Sequence, residues 1–173
     1  TNCKSDGPGD GMEKSYEEIL HILRLMSRED LKNRVFRGSR EYLPDEKTPV
    51  VSEAAEDLAD RAMSYTRENP LYVVAIAAIT NIASAILLRP EITERIVLVW
   101  LGGNALDWPN NREYNLYQDI AAARVIFESR VPLVQLPCMG VVSSFTVSGP
   151  ELKAYLKGKN PLCDYLADFT EQE

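Results

Sequence analysis

Glu113 and Asn115 stand one residue apart and form a pair able to handle a polyol. A carboxylate only accepts hydrogen bonds, whereas a carboxamide donates and accepts, and together they suit the hydroxyls of a sugar such as ribose. The pair closes a stretch that begins at Leu101-Gly102-Gly103 and passes through Asn110-Asn111. A glycine pair after an apolar run lets the chain turn sharply and lets a ligand approach the backbone. Thr80-Asn81 follows a second apolar run and has two readings. Thr80 is either a helix N-cap or a residue whose main-chain carbonyl, at a strand's end, points at a cation. Asp119 reads as an N-cap rather than a metal ligand. Trp100, Trp108 and Tyr114 read as pocket aromatics or as core. The single histidine, His21, lies in a helical pattern and reads as a packed or surface residue rather than a catalyst. Asp6 and Asp10 read as loop residues.

These residues need a scaffold, and the chain offers alternating helices and strands. Met12, Tyr16, Ile19, Leu20, Leu23 and Met26 recur at helical spacing, with Asp10 and Glu13 at the spacing of a capping box. A helical turn at 27–30 and a brief strand at 35–38 follow, then a Pro-containing surface loop over 39–51. Ser52 caps a helix whose apolar stripe is Ala55, Leu58, Ala59, Ala62 and Met63. Apolar runs at 71–77, 95–100 and 132–136 read as buried strands. Between them lie helices over 80–88, stopped by Arg89-Pro90, and over 119–129. Two short helices begin near Gly149-Pro150 and Asn160-Pro161, with Pro placed early. The 138–143 stretch reads as a core connection or a pocket rim. This alternation implies βαβ units and the α/β class: a mostly parallel sheet flanked by helices, in a single domain over 1–173. Ligands of such sheets bind outside the carboxyl ends of the strands.

Composition narrows the function classes. The net charge of −7 with no dense basic patch argues against nucleic acid as the main partner. Lys153, Lys157 and Lys159 read as a solvated helix end. The apolar stretch over 71–88 is broken by Thr80-Asn81 and Ser84, so no membrane span is expected. Cys3, Cys138 and Cys163 fit neither a disulfide framework nor a zinc site, and a reducing, cytoplasmic setting is expected. No G-x-G-x-x-G follows the first strand, which disfavours a dinucleotide enzyme.

Four motifs in order carry a resemblance to a known family. They are Pro70 to Ala75 running into Ile79-Thr80-Asn81-Ile82-Ala83, Pro90-Glu91-Ile92 with the strand into Gly102-Gly103, Glu113-Tyr114-Asn115-Leu116, and Asp119 to Phe127 followed by Val131-Pro132-Leu133. From about 52 to 136 the chain resembles the middle portion of the inosine–uridine-preferring nucleoside hydrolases. The resemblance implies hydrolysis of the N-glycosidic bond of a ribonucleoside through an oxocarbenium-like transition state. It also implies a bound Ca²⁺ and a possible homo-oligomer. Residue by residue, it implies Thr80 as a carbonyl ligand of calcium and Glu113 and Asn115 as ribose ligands. It further implies Leu101 against the sugar or base, Asn111 (or Asn110) as another ribose contact, and Asn2 as a further one. The family's Asp-rich first turn and its distal Asp beside a His have no counterpart, so no catalytic residue is assigned. By this resemblance the chain starts about one βαβ unit late and stops before the last part of the domain. A non-catalytic ribonucleoside- or ribose-binding relative stands as the alternative.

Overall fold

A computed structural model describes residues 6–172. Runs rich in Val, Ile and Leu form three strands, β1 (Leu71–Ala75), β2 (Ile96–Leu101) and β3 (Leu133–Leu136). They make a parallel sheet in the order β1-β2-β3, with Val73 opposite Leu98 and Leu98 opposite Leu133. The helix α3 (Thr80–Leu88) connects β1 to β2. Two helices, α4 (Tyr114–Gln118) and α5 (Ile120–Glu128), connect β2 to β3. Before the sheet come α1 (Pro8–Leu25) and α2 (Glu53–Ala62), and after it α6 (Gly149–Tyr155) and α7 (Pro161–Gln172).

The two faces of the sheet differ. Side chains alternate along a strand, and the set Ile96, Leu98 and Trp100 is fully buried. It packs with Ile82, Ala83 and Ile86 of α3 and Ala122, Ala123 and Ile126 of α5, while α2 lies against α3. The opposite set is apolar but open: Tyr72 is 67% and Val74 69% exposed, and Val134 and Leu136 share their face. The strands expected to be buried are therefore buried on one side only. A continuous apolar run does not say which of its two faces is covered.

Local differences from the sequence expectations have identifiable causes. The 35–38 stretch is extended but joins no ladder. Its hydrogen bonds go to the start of α2 instead, with Arg37 N–H donating to the Glu53 carboxylate and Ala54 N–H to the Arg37 carbonyl. Helix α1 opens with Pro8 at its first turn behind Gly7, so Asp10 and Glu13 form no capping box. Asp10 binds Lys14, and Glu13 binds Arg37 and Arg40. His21 packs edge-on against Tyr165 of α7. The 138–143 stretch is a half-exposed turn rather than core; Cys138 N–H donates to the Gly103 carbonyl and Ala105 N–H to the Met139 carbonyl.

Candidate functional site

The carboxyl ends of β1 and β2 carry two polar clusters. The first forms where β2 turns out of the sheet. Gly103 has φ +73°, and a Cβ there would lie 2.7 Å from Asn111 Oδ1, so only glycine fits the turn comfortably. Glu113 is buried at the start of α4 and caps it. Its carboxylate accepts from the N–H groups of Gly103 (2.8 Å), Asn115 (2.9 Å) and Leu116 (3.0 Å). Asn115 Nδ2 donates to the Leu101 carbonyl at 2.9 Å, which leaves Oδ1 without a partner among the described residues. Asn111 Oδ1 accepts from Asn104 N–H, so Asn111 closes the loop on itself. The Leu101 side chain falls on the open sheet face, in register with Leu136. Asn2 lies outside the described residues.

The second cluster forms where β1 meets α3. Thr80 is the first helical residue, preceded by Ile79 at the N-cap position, so Thr80 is not itself the cap. Its buried hydroxyl donates to Asp119 Oδ2 at 2.6 Å. The same carboxylate accepts Leu43 N–H at 3.0 Å and, through Oδ1, Ala122 N–H at 2.9 Å. Asp119 thus caps α5 as expected and also ties α5 to α3 and to the 39–51 loop. Glu113 and Asp119 sit at opposite ends of α4, a rise of roughly 9 Å for six steps at ~1.5 Å each. Thr80 and Glu113 thus stand at the carboxyl ends of neighbouring strands, each bonded to its own set of partners. Trp100 is core, and its indole N–H donates to the Ala77 carbonyl. Trp108 and Tyr114 are exposed.

A cavity of about 210 Å³ opens beside Thr80, between α1 and the 36–42 segment. Its walls include Tyr16, Phe36, Glu41, Tyr42, Thr80 and Asn81. Glu113, Asn115, Asn111 and Leu101 do not line it. Tyr42 reaches α4 by donating to Gln118 Oε1 at 3.0 Å. Burial pushes its phenol above the ordinary value, and nearby Tyr114 and Asp119 add to the shift.

Asn81 is the residue that spacing alone does not single out. Its Oδ1 receives Ser39 N–H at 2.7 Å and lies 2.9 Å from the Ser39 hydroxyl and 3.1 Å from the Ser52 hydroxyl. The carboxamide joins the 39–51 loop, the cap of α2 and the start of α3. In the sequence it stands only as part of the Ile79-Thr80-Asn81 turn, with no role of its own.

Calcium takes about 6–8 oxygen ligands, carboxylates foremost. Among the described residues no three His, Cys, Asp or Glu side chains gather to hold an ion. The two buried carboxylates at this edge are each held by three N–H or O–H donors. The described residues do not fit a calcium site.

Comparisons with known proteins agree with the architecture. The family described as inosine-uridine preferring nucleoside hydrolase matches residues 10–172. The pyrimidine-specific ribonucleoside hydrolase RihA of Salmonella paratyphi A (strain ATCC 9150 / SARB42) is 23% identical over 181 residues. RihA of Salmonella agona (strain SL483) is equally similar. Each alignment covers 92% of this chain and 58% of the relative. Among solved structures, the purine-preferring ribonucleoside hydrolase from Gardnerella vaginalis shares the fold with a TM-score of 0.72 at 24% identity, again over 92% of this chain and 58% of that one. The chain therefore spans somewhat over half the length of the relatives it matches.

Proposed function

We propose that this chain, which belongs to the inosine-uridine preferring nucleoside hydrolase family, forms part of an enzyme that splits ribonucleosides into ribose and free base. The observation that carries the reading is where Glu113 and Asn115 sit. They project from the turn after β2, where open parallel sheets take their ligands. Three N–H donors fix the Glu113 carboxylate, yet Oε1 accepts only one of them and keeps a lone pair for a ribose hydroxyl. Asn115 Oδ1 supplies a second acceptor. Held so, the two carry partial negative charge toward a sugar ring that becomes positive as the glycosidic bond lengthens. The base departs with the bonding pair of the C1′–N bond, the oxygen of water bonds to electron-poor C1′, and the proton water gives up ends on the base.

Within this proposal the Thr80 main-chain carbonyl is what this chain would offer a calcium ion. A cytoplasmic setting and homo-oligomer formation belong to the same reading. Its test is ribose release from uridine and inosine, with calcium and with chelator, using this chain and any longer product of its gene. Release by either preparation is expected. Release from no common ribonucleoside by both overturns the reading.

A second reading, ribonucleoside binding without turnover, draws on one observation. Glu113 and Asp119 are both committed to main-chain donors, a structural use of carboxylates. It predicts saturable binding, weakened by Asn115→Ala, with no ribose released.

A further inference from the structure

The 35–39 segment is extended, so the N–H and C=O of successive residues point to opposite sides. One side is in use. Arg37 N–H donates to the Glu53 carboxylate, the Arg37 carbonyl accepts Ala54 N–H, and Ser39 N–H donates to Asn81 Oδ1. The other side is free. The N–H and C=O of Phe36 and of Gly38 have no hydrogen-bond partner among the described residues. Both residues are half-buried and line the cavity beside Thr80, whereas Arg37 does not. Half-buried main-chain groups without partners are uncommon in folded chains. An unused donor stands next to them. The Ser39 bond fixes the oxygen end of the Asn81 carboxamide, which leaves Asn81 Nδ2 unpartnered among the described residues. Gly38 has no side chain to cover it, since a Cβ there would lie 2.7 Å from Nδ2.

We propose that this free edge takes an extended peptide, which adds a strand against Phe36 and Gly38 and sends one apolar side chain into the cavity. The Phe36 and Gly38 groups repeat at roughly 7 Å, two residues of strand, which is the spacing a second main chain presents. The cavity has apolar and aromatic walls, Tyr16, Ile19 and Phe36 among them, and about 210 Å³ is room for one side chain. Charge sets the peptide's chemistry. Glu41 is exposed at the cavity wall and pairs with no cation among the described residues. The nearby Arg37 and Arg40 are both taken by Glu13. The chain as a whole carries a net charge of −7. A basic residue flanking the apolar one therefore fits, and an acidic one is repelled. Main-chain pairing supplies affinity, while the cavity and Glu41 supply selectivity. Glu113 and Asn115 do not line this cavity, so the site stands or falls apart from the hydrolase reading.

The experiment titrates the 173-residue chain with an acetylated, amidated heptapeptide, Lys-Val-Thr-Val-Thr-Val-Lys, followed by calorimetry and amide chemical shifts. In a strand the valine N–H groups point one way and the threonine N–H groups the other. Two further peptides therefore carry N-methyl groups on every valine or on every threonine. Saturable binding of the parent peptide is expected, with shifts at Phe36, Gly38, Ser39 and the Asn81 side-chain amide. One methylated peptide is expected to bind within about twofold of the parent and the other about tenfold more weakly, because only one set of amides faces the edge. Glu41→Gln is expected to weaken the parent peptide about threefold. Glu41 is exposed and holds no other element, so this variant should fold as the parent chain does, which thermal melting checks. Methylated peptides that bind alike, no saturable binding below ~1 mM, or shifts at 71–75 or 133–136 instead, the sheet's own open edges, overturn the proposal. An affinity untouched by Glu41→Gln overturns the choice of a basic partner.

Discussion

The two faces of this small sheet were built from nearly the same residues and met different ends. Ile96, Leu98 and Trp100 point to one side and disappear under α3 and α5, whereas Tyr72, Val74, Val134 and Leu136 point to the other and stay open. Composition does not separate the two sets; connectivity does. Both crossovers return along one side, and the two polar clusters around Glu113 and Asp119 sit at the edge where those crossovers begin. The covered face stabilises the fold and places Thr80, Asp119 and Glu113. The open face contributes little stability and leaves apolar surface that invites association.

The sharpest way to break this contrast is truncation on each side. Trp100→Ala removes a wholly buried ring and should cost about 3–5 kcal/mol by denaturant titration. A cost below about 1 kcal/mol would mean that the covered face is not the core. Asp119→Ala should cost about 2–3 kcal/mol, since Leu43 N–H, Ala122 N–H and the Thr80 hydroxyl lose their acceptor together. Ser52→Ala should cost about 1 kcal/mol through its cap at Ala55 N–H. On the open side, Val74→Ala should stay within about 0.5 kcal/mol. A loss several times larger would show that the open face is covered in solution.

A smaller, pH-dependent effect sharpens the covered side. Burial raises the folded-state pKa of Tyr42 above its unfolded value of 10.0. A raised folded pKa means the contribution is fully present below pH 10 and is lost as pH rises through the folded pKa. Melting temperature should therefore fall above about pH 10 less steeply in Tyr42→Phe than in the parent, read by circular dichroism.

Much of the covered side was legible in the sequence because its signals are local. The Ser52 cap, the 80–88 helix stopped by Arg89-Pro90 and the Asp119 cap each depend on neighbours a few residues away. The long-range use of the same groups was not legible. Asp119 reaches back 76 residues to Leu43, and Asn81 reaches 42 residues to Ser39. Spacing along the chain carries no trace of such bonds. Glu113 was legible as a polar group near a glycine turn, yet not as the cap that fixes the turn. The open face was illegible for a different reason. Strand residues that are apolar on both sides lose the period-two pattern that would tell inside from outside.

The measurement that bears most directly on the account is amide chemical-shift mapping of the 173-residue chain titrated with uridine. Saturable shifts are predicted at Ser39, Gly103 and Asn115, around the carboxyl ends of β1 and β2, with Val97 and Val99 in mid-strand unmoved. Shifts confined to the open sheet face, or to α6 and α7, would contradict it.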